Sequence, residues 1–123
     1  MKIQVKYLPE DDIVLTEVEG EITVEMARQA VAESIKEGAK HGTNLILGDL
    51  RGTYMGASTI DIYELPRILK RDGVGAKHIN ALVVAQDLQD HAFMETVADN
   101  QALSIRFFTR MDEAKAWLKK NAP

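Results

Sequence analysis

An aspartate, a serine and three histidines are the residue types here from which a nucleophilic site could be built. Asp49 ends a short apolar run, and Ser58 follows in the segment GDLRGTYMGASTID, which spans residues 48–61. With one histidine, these two side chains could form a triad. The segment lacks the Gly-x-Ser-x-Gly elbow that exposes a nucleophilic serine at a sharp turn. We therefore predict no catalytic residue, expect Asp49 to hydrogen-bond the amides that follow it, and expect the protein not to be an enzyme.

Three glycines and a serine give the same segment other interpretations. Gly48, Gly52 and Gly56 are not followed by the Gly-Lys-Ser/Thr of a phosphate loop, and their spacing matches neither nucleotide fingerprint. We predict instead that they let the backbone turn where a strand ends. Ser58 and Asp61 have capping-box spacing, so Ser58 is predicted to cap the next helix. A regulatory phosphosite and a ligand contact are the alternatives for Ser58.

Residues that bind metals are sparse and scattered. The chain has no cysteine, and His41, His78 and His91 lie far apart without the i, i+4 spacing of a helical metal pair. We expect these histidines at the surface and predict no metal site and no cofactor. The basic cluster at residues 67–71 is interpreted as a solvated helix end, with an anionic headgroup or an acidic partner as the alternative.

Length and charge narrow the class of protein further. The chain has 123 residues, 46% of them hydrophobic, which predicts a single domain over residues 1–123. Nineteen acidic against fifteen basic residues give a net charge of −4, so we expect no binding to nucleic acid. No apolar run approaches the roughly 20 residues that cross a bilayer, so we expect no membrane insertion. The N-terminus alternates polar and apolar residues and does not resemble a signal peptide, so the expected location is the cytoplasm.

The first third of the chain is predicted to form a hairpin and a helix. Residues Lys2–Leu8 alternate in period two, turn residues follow, and a second strand is predicted over Ile13–Gly20. From Thr23 onwards, small residues recur with helical spacing. Thr23 is predicted to cap this helix, and Gly42 to adopt the left-handed conformation after its end.

Strands and helices alternate in the remainder. Short apolar runs predict strands at residues 45–49, 79–85 and 105–108. A helix interrupted or kinked at Pro66 is predicted after the first of these strands, and a helix with Phe93 on its inner face after the second. This alternation predicts an α/β fold with a mostly parallel sheet, an antiparallel N-terminal strand and helices packed on the sheet.

The last helix is predicted from a capping pattern and an apolar face. Thr109 and Asp112 have capping-box spacing, so the helix is predicted to begin there. Ala114, Trp117 and Leu118 fall on one helical face, which is expected to cover the sheet. Trp117 is accordingly predicted as a core residue.

Three segments carry a pattern more specific than secondary structure. They are LILGDLRG at residues 45–52, INALVVA at 79–85, and RFF followed by EAKAWL within 106–118. Over nearly its whole length the chain resembles the SpoIIAA-like family, which is related to the STAS domains of anti-sigma-factor antagonists and to lipid carriers of the Sec14 kind. The resemblance implies a small α/β sheet whose members bind partners or small apolar ligands and are not known chiefly as catalysts.

The resemblance also bears on Ser58. In STAS antagonists, a serine in an Asp-Ser-Ser/Ala-Gly motif follows a strand ending in Asp-Leu and is phosphorylated by a partner kinase. Ser58 is the matching position, so the resemblance implies a phosphosite there. Gly56 or Ala57 replaces the aspartate and Thr59 replaces the glycine, so the motif is degenerate in this chain.

The predicted site lies at the carboxyl end of the strand that begins at Leu45, because open α/β sheets place their ligand crevices at such ends. A ligand or partner is expected to contact the segment after this strand and the helix that follows. The residues expected to make these contacts are Arg51, Thr53, Tyr54, Met55, Ser58, Ile62 and Leu65.

Three functions remain open at this point, of which an enzyme, favoured if Asp49, Ser58 and a histidine converge, ranks last. The first is a non-enzymatic, STAS-like regulatory or interaction module that binds a protein partner or associates with itself as a homo-oligomer. The alternative is a carrier or sensor of a small apolar or lipid-like molecule. A filled core would favour the interaction module, and a continuous pocket between Met55 and the helix containing Ile62 would favour the carrier.

Overall fold

The computed structural model describes residues 2–55, 59–86 and 89–122, which form five strands and four helices. In chain order the elements are β1 (Lys2–Leu8), β2 (Ile13–Ile22), α1 (Val24–His41), β3 (Leu45–Met55), α2 (Thr59–Arg71), β4 (Ile79–Val83), α3 (Gln89–Asn100), β5 (Ser104–Phe108) and α4 (Met111–Asn121). The strands form one sheet in the order β1-β2-β3-β4-β5, with β1 antiparallel to β2 and each later neighbouring pair parallel. The predicted fold class is confirmed.

The hairpin and the first helix form where the sequence predicts them. β1 has the predicted bounds and pairs with β2 along its whole length. The Thr23 hydroxyl accepts a hydrogen bond from the backbone N–H of Met26 at 3.1 Å, and Gly42 ends α1 with a φ of 71°. Both caps satisfy backbone groups that the ends of a helix leave unpaired.

Replacing Thr23 by alanine should lower the free energy of unfolding by about 1 kcal/mol, because the Met26 amide loses its cap. Urea denaturation followed by circular dichroism measures the change. Thr96→Ala is the matched control, since the exposed Thr96 hydroxyl bonds the Ala92 carbonyl oxygen inside α3 and alanine is the better helix former. Equal losses in the two variants would show that capping does not account for the effect at Thr23.

The sheet separates two layers, because successive side chains of a strand leave it on opposite sides. On one side, α4 covers a core formed by buried apolar residues of the sheet and of the helix: Ile13, Leu45, Leu47, Ala81, Val83, Ala114 and Leu118. On the other side, α1 and α3 pack against strands, and α2 packs against α1 and α3. α2 therefore packs mainly on two helices, while Leu69 near its C-terminal end reaches Ile105 of β5 in a shared apolar cluster.

β3 is longer than predicted. A strand ending at Asp49 was expected, with a loop over residues 51–58, but β3 continues to Met55. The added residues pair with the end of β2, and Gly52 of β3 opposite Glu19 of β2 is the first such pair. The expected loop is therefore wrong for residues 51–55, because a neighbouring strand extends far enough to pair with them.

The glycines of this segment pack closely instead of turning. Gly48 and Gly52 lie inside β3, and neither has a positive φ. A Cβ on Gly48 would come within 2.8 Å of Leu82 Cδ2, and one on Gly52 within 3.2 Å of Glu19 Cγ. The predicted turn role of these two glycines is wrong, and Gly56 lies outside the described residues.

The last helix begins without the predicted side-chain cap. Its N-cap is Arg110, which makes no side-chain capping bond, and the Asp112 carboxylate instead binds the Arg110 guanidinium at 3.1 and 3.0 Å. The capping-box prediction at Thr109 is therefore wrong. Trp117 packs on the core beneath α4 at a ring-centroid distance of 5.8 Å from Phe108, although it is only partly buried.

Two further expectations about helices need correction. Phe93 was predicted on the inner face of α3, but it is 49% exposed because Met94 and Ala98 occupy that face. α2 continues through Pro66 and ends at Arg71, so the alternative of a second helix beginning at the proline is wrong, while the kink stays a prediction.

Candidate functional site

A cavity lies between the sheet and the helices α1, α2 and α3. Its volume is about 430 Å³, which is within the range of roughly 300–1,000 Å³ typical of small-molecule sites. At the C-terminal end of α2, Leu69 closes this space by joining an apolar cluster with Ala98 of α3 and Ile105 of β5.

The floor of the cavity is the sheet face opposite α4. It is formed by apolar residues of four strands, including Val18, Ile46, Gly48, Leu82, Ile105 and Phe107. Gly48 leaves the β3 backbone bare, so the Leu82 side chain lies directly over it. The floor is therefore apolar where Leu82 covers Gly48.

A β-bulge decides which residues of β3 reach the cavity. β2 advances by two residues over 17–19 while β3 advances by three over 49–52. The extra residue in β3 shifts the alternation of its side chains. Leu50 and Thr53 consequently line the same cavity despite their odd spacing.

Two helices form the roof. The small residues of α1 and the apolar residues of α2 that line the cavity are Ala27, Ala30, Ser34, Leu65, Pro66 and Leu69. A bidentate ion pair joins α1 to the residue after α2. Arg28 Nε and Nη2 donate to the Asp72 carboxylate at 2.6 and 2.7 Å. This pair ties the C-terminal end of α2 to α1.

The mouth lies at the carboxyl ends of β3 and β4. Tyr54, which lines it, is 64% exposed, and Ala85 and Gln86 are exposed just after the end of β4. On α3, His91 stacks on Phe107 with ring centroids 4.5 Å apart. Aromatic and amide side chains therefore border the entrance to an apolar interior.

Buried polar side chains interrupt the apolar lining at a few points. The hydroxyl oxygens of Thr16 and Ser34 are 2.6 Å apart, and Ser34 Oγ donates to the Ala30 carbonyl oxygen at 2.6 Å. Because a hydroxyl carries one proton, Thr16 is the donor to Ser34. Asn80, 6% exposed, supplies an amide on β4.

Charged side chains lie away from the cavity. No Asp, Glu, Lys or Arg is among the described residues that line it. Arg51 donates to the Asp49 carboxylate at 2.9 and 2.8 Å, and this bond holds the pKa of Asp49 below its ordinary range, which makes it a weak base. Asp49 also accepts from the Arg51 backbone N–H at 3.2 Å, the role predicted for it.

Within the described ranges, no three His, Cys, Asp or Glu residues are grouped so that they could hold a metal ion.

The predicted contact residues fall into three groups. Those that line the cavity are Thr53, Tyr54 and Leu65. Arg51 is exposed, pairs with Asp49 and is not part of the lining. Lying outside the described structure are Ser58, with its predicted cap and phosphosite, and the side chains of Met55 and Ile62. Contact with a ligand stays a prediction for all seven.

Inspection of the sequence missed the strand residues that form the floor. Asn80 carried a signal that was not used, because it is the polar residue within the otherwise apolar run INALVVA. The surface expectation for histidines was also wrong in part. His78 is 4% exposed and His91 lines the cavity.

His78 should make the protein less stable in mild acid. Burial, with the nearby charge of Lys77, lowers the pKa of His78 below its ordinary value of 6.5. Its Nδ1 accepts the Gly75 N–H at 3.1 Å, which requires the neutral ring. The unfolded chain therefore binds a proton more readily. The stabilisation is complete above about pH 6.5 and is lost as the pH falls through the lower folded pKa.

Denaturation of wild type and His78→Gln between about pH 8 and about pH 5, where histidine titrates, measures this effect. The free energy of unfolding should fall more steeply for wild type than for the variant. Parallel curves for the two proteins would contradict a role for His78.

Comparison with known proteins identifies the family. A family model described as SpoIIAA-like matches residues 13–119, from the start of β2 into α4. The chain belongs to the SpoIIAA-like family. The resemblance inferred from the three sequence segments is thereby confirmed.

A solved structure shares the SpoIIAA-like fold of this chain. It is the crystal structure of an uncharacterized protein of the DUF3478 family from Shewanella loihica PV-4, with a TM-score of 0.60 and 18% sequence identity over 95% of this chain and 92% of that one. At this identity the similarity shows the fold alone. No curated protein gives a significant match. In the described part of this SpoIIAA-like chain, no helix has both the length and the apolar character needed to span a bilayer.

Proposed function

We propose that this SpoIIAA-like protein is a non-enzymatic carrier or sensor that binds a small apolar molecule between its sheet and the helices α1–α3. The observation that carries the proposal is the cavity of about 430 Å³ with its mostly apolar lining. An apolar ligand gains free energy there by leaving water and by making dispersion contacts with the floor and roof. The exposed mouth beside Tyr54 supplies a route from solvent.

Absence of charge in the described lining supports binding over catalysis. General acid–base chemistry needs a titratable group within hydrogen-bond reach of the reacting atoms. Of the described residues, the titratable side chains that line the cavity are Tyr54 and His91, and both lie at its mouth. The Asp49 carboxylate pairs with Arg51 outside the cavity, so the described interior holds no such group. We infer that the site holds a molecule without transforming it.

An interaction role ranks second. Its expected signature was a filled core, which the space under α2 does not favour. Tyr54 and Phe93, which are 64% and 49% exposed, are large apolar side chains that a protein partner would bury. A regulatory partner or a second copy that contacts Tyr54 would be in a position to respond to the filling of the cavity. Native mass spectrometry with and without ligand tests self-association.

Binding of N-phenyl-1-naphthylamine, a neutral apolar dye whose fluorescence rises on leaving water, tests the proposed function. We expect saturable binding of one dye per chain. Ala30 lines the cavity and is 8% exposed, so Ala30→Phe should place a ring inside it. We expect the affinity to fall by at least about fivefold, since overfilling costs about 1–3 kcal/mol.

Ala32→Phe is the matched control, because Ala32 is exposed on the same helix. It should bind the dye as wild type does. Equal affinities of the two variants would contradict binding in the cavity. Circular dichroism verifies that each variant folds, and Ala27→Phe, at another lining residue of α1, replaces Ala30→Phe if that variant does not.

A further inference from the structure

We propose that the ligand is a neutral apolar molecule bearing an O–H or N–H group that donates a hydrogen bond to Oδ1 of Asn80 on the cavity floor. The inference rests on the proposed function, because it specifies the chemistry of the molecule held in the same cavity. It follows because the Asn80 amide and the described hydroxyl groups that line the cavity away from its mouth already donate their protons to other protein groups.

Asn80 is a buried amide whose orientation is fixed by its neighbours. It lies in β4 between Ile46 of β3 and Ile105 of β5, and it is 6% exposed. Its Nδ2 donates to the carbonyl oxygens of His78 at 3.3 Å and Ser104 at 3.2 Å. These two bonds use both amide protons, and a flipped amide would point Oδ1 at two carbonyl oxygens. Oδ1 is therefore the acceptor that remains.

The remaining acceptor opens into the cavity. Among the side chains and backbone groups that the structure describes, none donates a hydrogen bond to Oδ1 of Asn80. Every described side-chain nitrogen or oxygen that is shut off from solvent has a partner. Oδ1 must then keep accessible surface, and Asn80 is a lining residue. An amide oxygen facing an apolar space is costly until a donor reaches it.

Away from the mouth, the described hydroxyl groups that line the cavity have no proton to offer either. Ser34 donates to the backbone of α1, so Thr16 donates to Ser34 and has only lone pairs left. The Thr53 hydroxyl donates to the Leu50 carbonyl oxygen at 2.6 Å. The hydroxyl and amide groups of this described interior are therefore acceptors toward a ligand.

These acceptors exclude an anionic group from the floor beside Asn80 on physical grounds. A carboxylate or phosphate would bring lone pairs against lone pairs, and it would lose its hydration without a lysine or arginine in the described lining. An apolar alcohol, phenol or secondary amine supplies the missing proton without charge. The cavity should therefore select a neutral donor.

The test compares two ligands in which a methyl group replaces the proton of the donor. 1-Naphthol and 1-methoxynaphthalene share a ring system, but only the first has an O–H. We expect 1-naphthol to bind about fivefold more tightly, as one net hydrogen bond predicts. The affinities come from ¹⁵N NMR titrations, in which the Nδ2 resonances of Asn80 should shift with 1-naphthol. 1-Naphthoate, the anion, should bind more weakly than 1-naphthol.

A variant assigns the acceptor. Asn80→Leu removes Oδ1 and should bring the affinity ratio of the two neutral ligands close to one. Asn121→Leu makes the same change at an exposed asparagine of α4, far along the chain, and should keep the fivefold preference.

The possible results separate the two proposals. Equal binding of both neutral ligands to wild type would overturn the donor inference and leave the proposed function standing. Failure of both ligands to bind would overturn the proposed function itself. A preference that survives in Asn80→Leu would show that another group is the acceptor. If this variant does not fold, the wild-type affinity ratio and the Asn80 amide shift decide the matter.

Discussion

Replacing Leu118 by alanine is expected to lower the free energy of unfolding by about 3 kcal/mol, within the range for buried leucines. Leu118 has no exposed surface and packs with Ile13, Leu47 and Val83 beneath α4. In the described structure α4 is the helix that covers this side of the sheet. Its partners are held in strands, so they cannot move far into the space that the leucine leaves. Urea denaturation measures the loss.

Lys120→Ala is the control for Leu118, since Lys120 is exposed on the same helix. Its effect should stay within about 0.5 kcal/mol, as for most surface substitutions. A Leu118→Ala variant as stable as this control would show that α4 does not pack on the sheet as described.

Replacing Gly38 by alanine should lower the free energy of unfolding by about 2 kcal/mol, although alanine is the better helix former. A Cβ at Gly38 would lie 2.5 Å from the carbonyl oxygen of Thr43. That backbone is held on both sides, because the Thr43 N–H donates to Gly38 at 3.0 Å and its hydroxyl donates to the Asp12 carbonyl oxygen at 2.7 Å. Relief of the clash must therefore break hydrogen bonds at the end of α1. The same denaturation measurement applies.

Gly75→Ala provides the comparison for Gly38. No atom lies within 4 Å of a Cβ built at Gly75, and its φ is not positive. This variant should be as stable as wild type or slightly more so, because alanine restricts the unfolded chain. Gly38→Ala behaving like Gly75→Ala would contradict the close approach of Gly38 and Thr43.

Local patterns in the sequence predicted the elements whose boundaries depend on local chemistry. β1 has its predicted bounds because polar and apolar residues alternate without interruption up to the turn. α1 begins and ends where Thr23 and Gly42 supply side-chain and left-handed caps. β3 was predicted too short, since residues beyond Asp49 become a strand only through pairing with the end of β2.

The cavity itself could not be predicted from residue types. Leu65 and Leu69 have the same spacing whether α2 lies directly on the sheet or is held above it by α1 and α3. The choice depends on the packing of three helices, on a bulge in β3 and on Gly48, none of which a periodic pattern records. The carboxyl end of β3 was predicted as the site from topology alone, and Thr53 and Tyr54 lie there beside the cavity.

Binding of an apolar molecule inside the cavity is tested most directly by intermolecular NOEs between 1-naphthol and the methyl groups of the protein. Leu82 and Val83 are neighbours in β4 but leave the sheet on opposite sides, toward the cavity and toward α4. The account predicts NOEs from the naphthol ring to the methyl groups of Leu82 and Leu69, and none to those of Val83. NOEs to Val83, or bound naphthol that shows no NOE to Leu82 and Leu69, would contradict it.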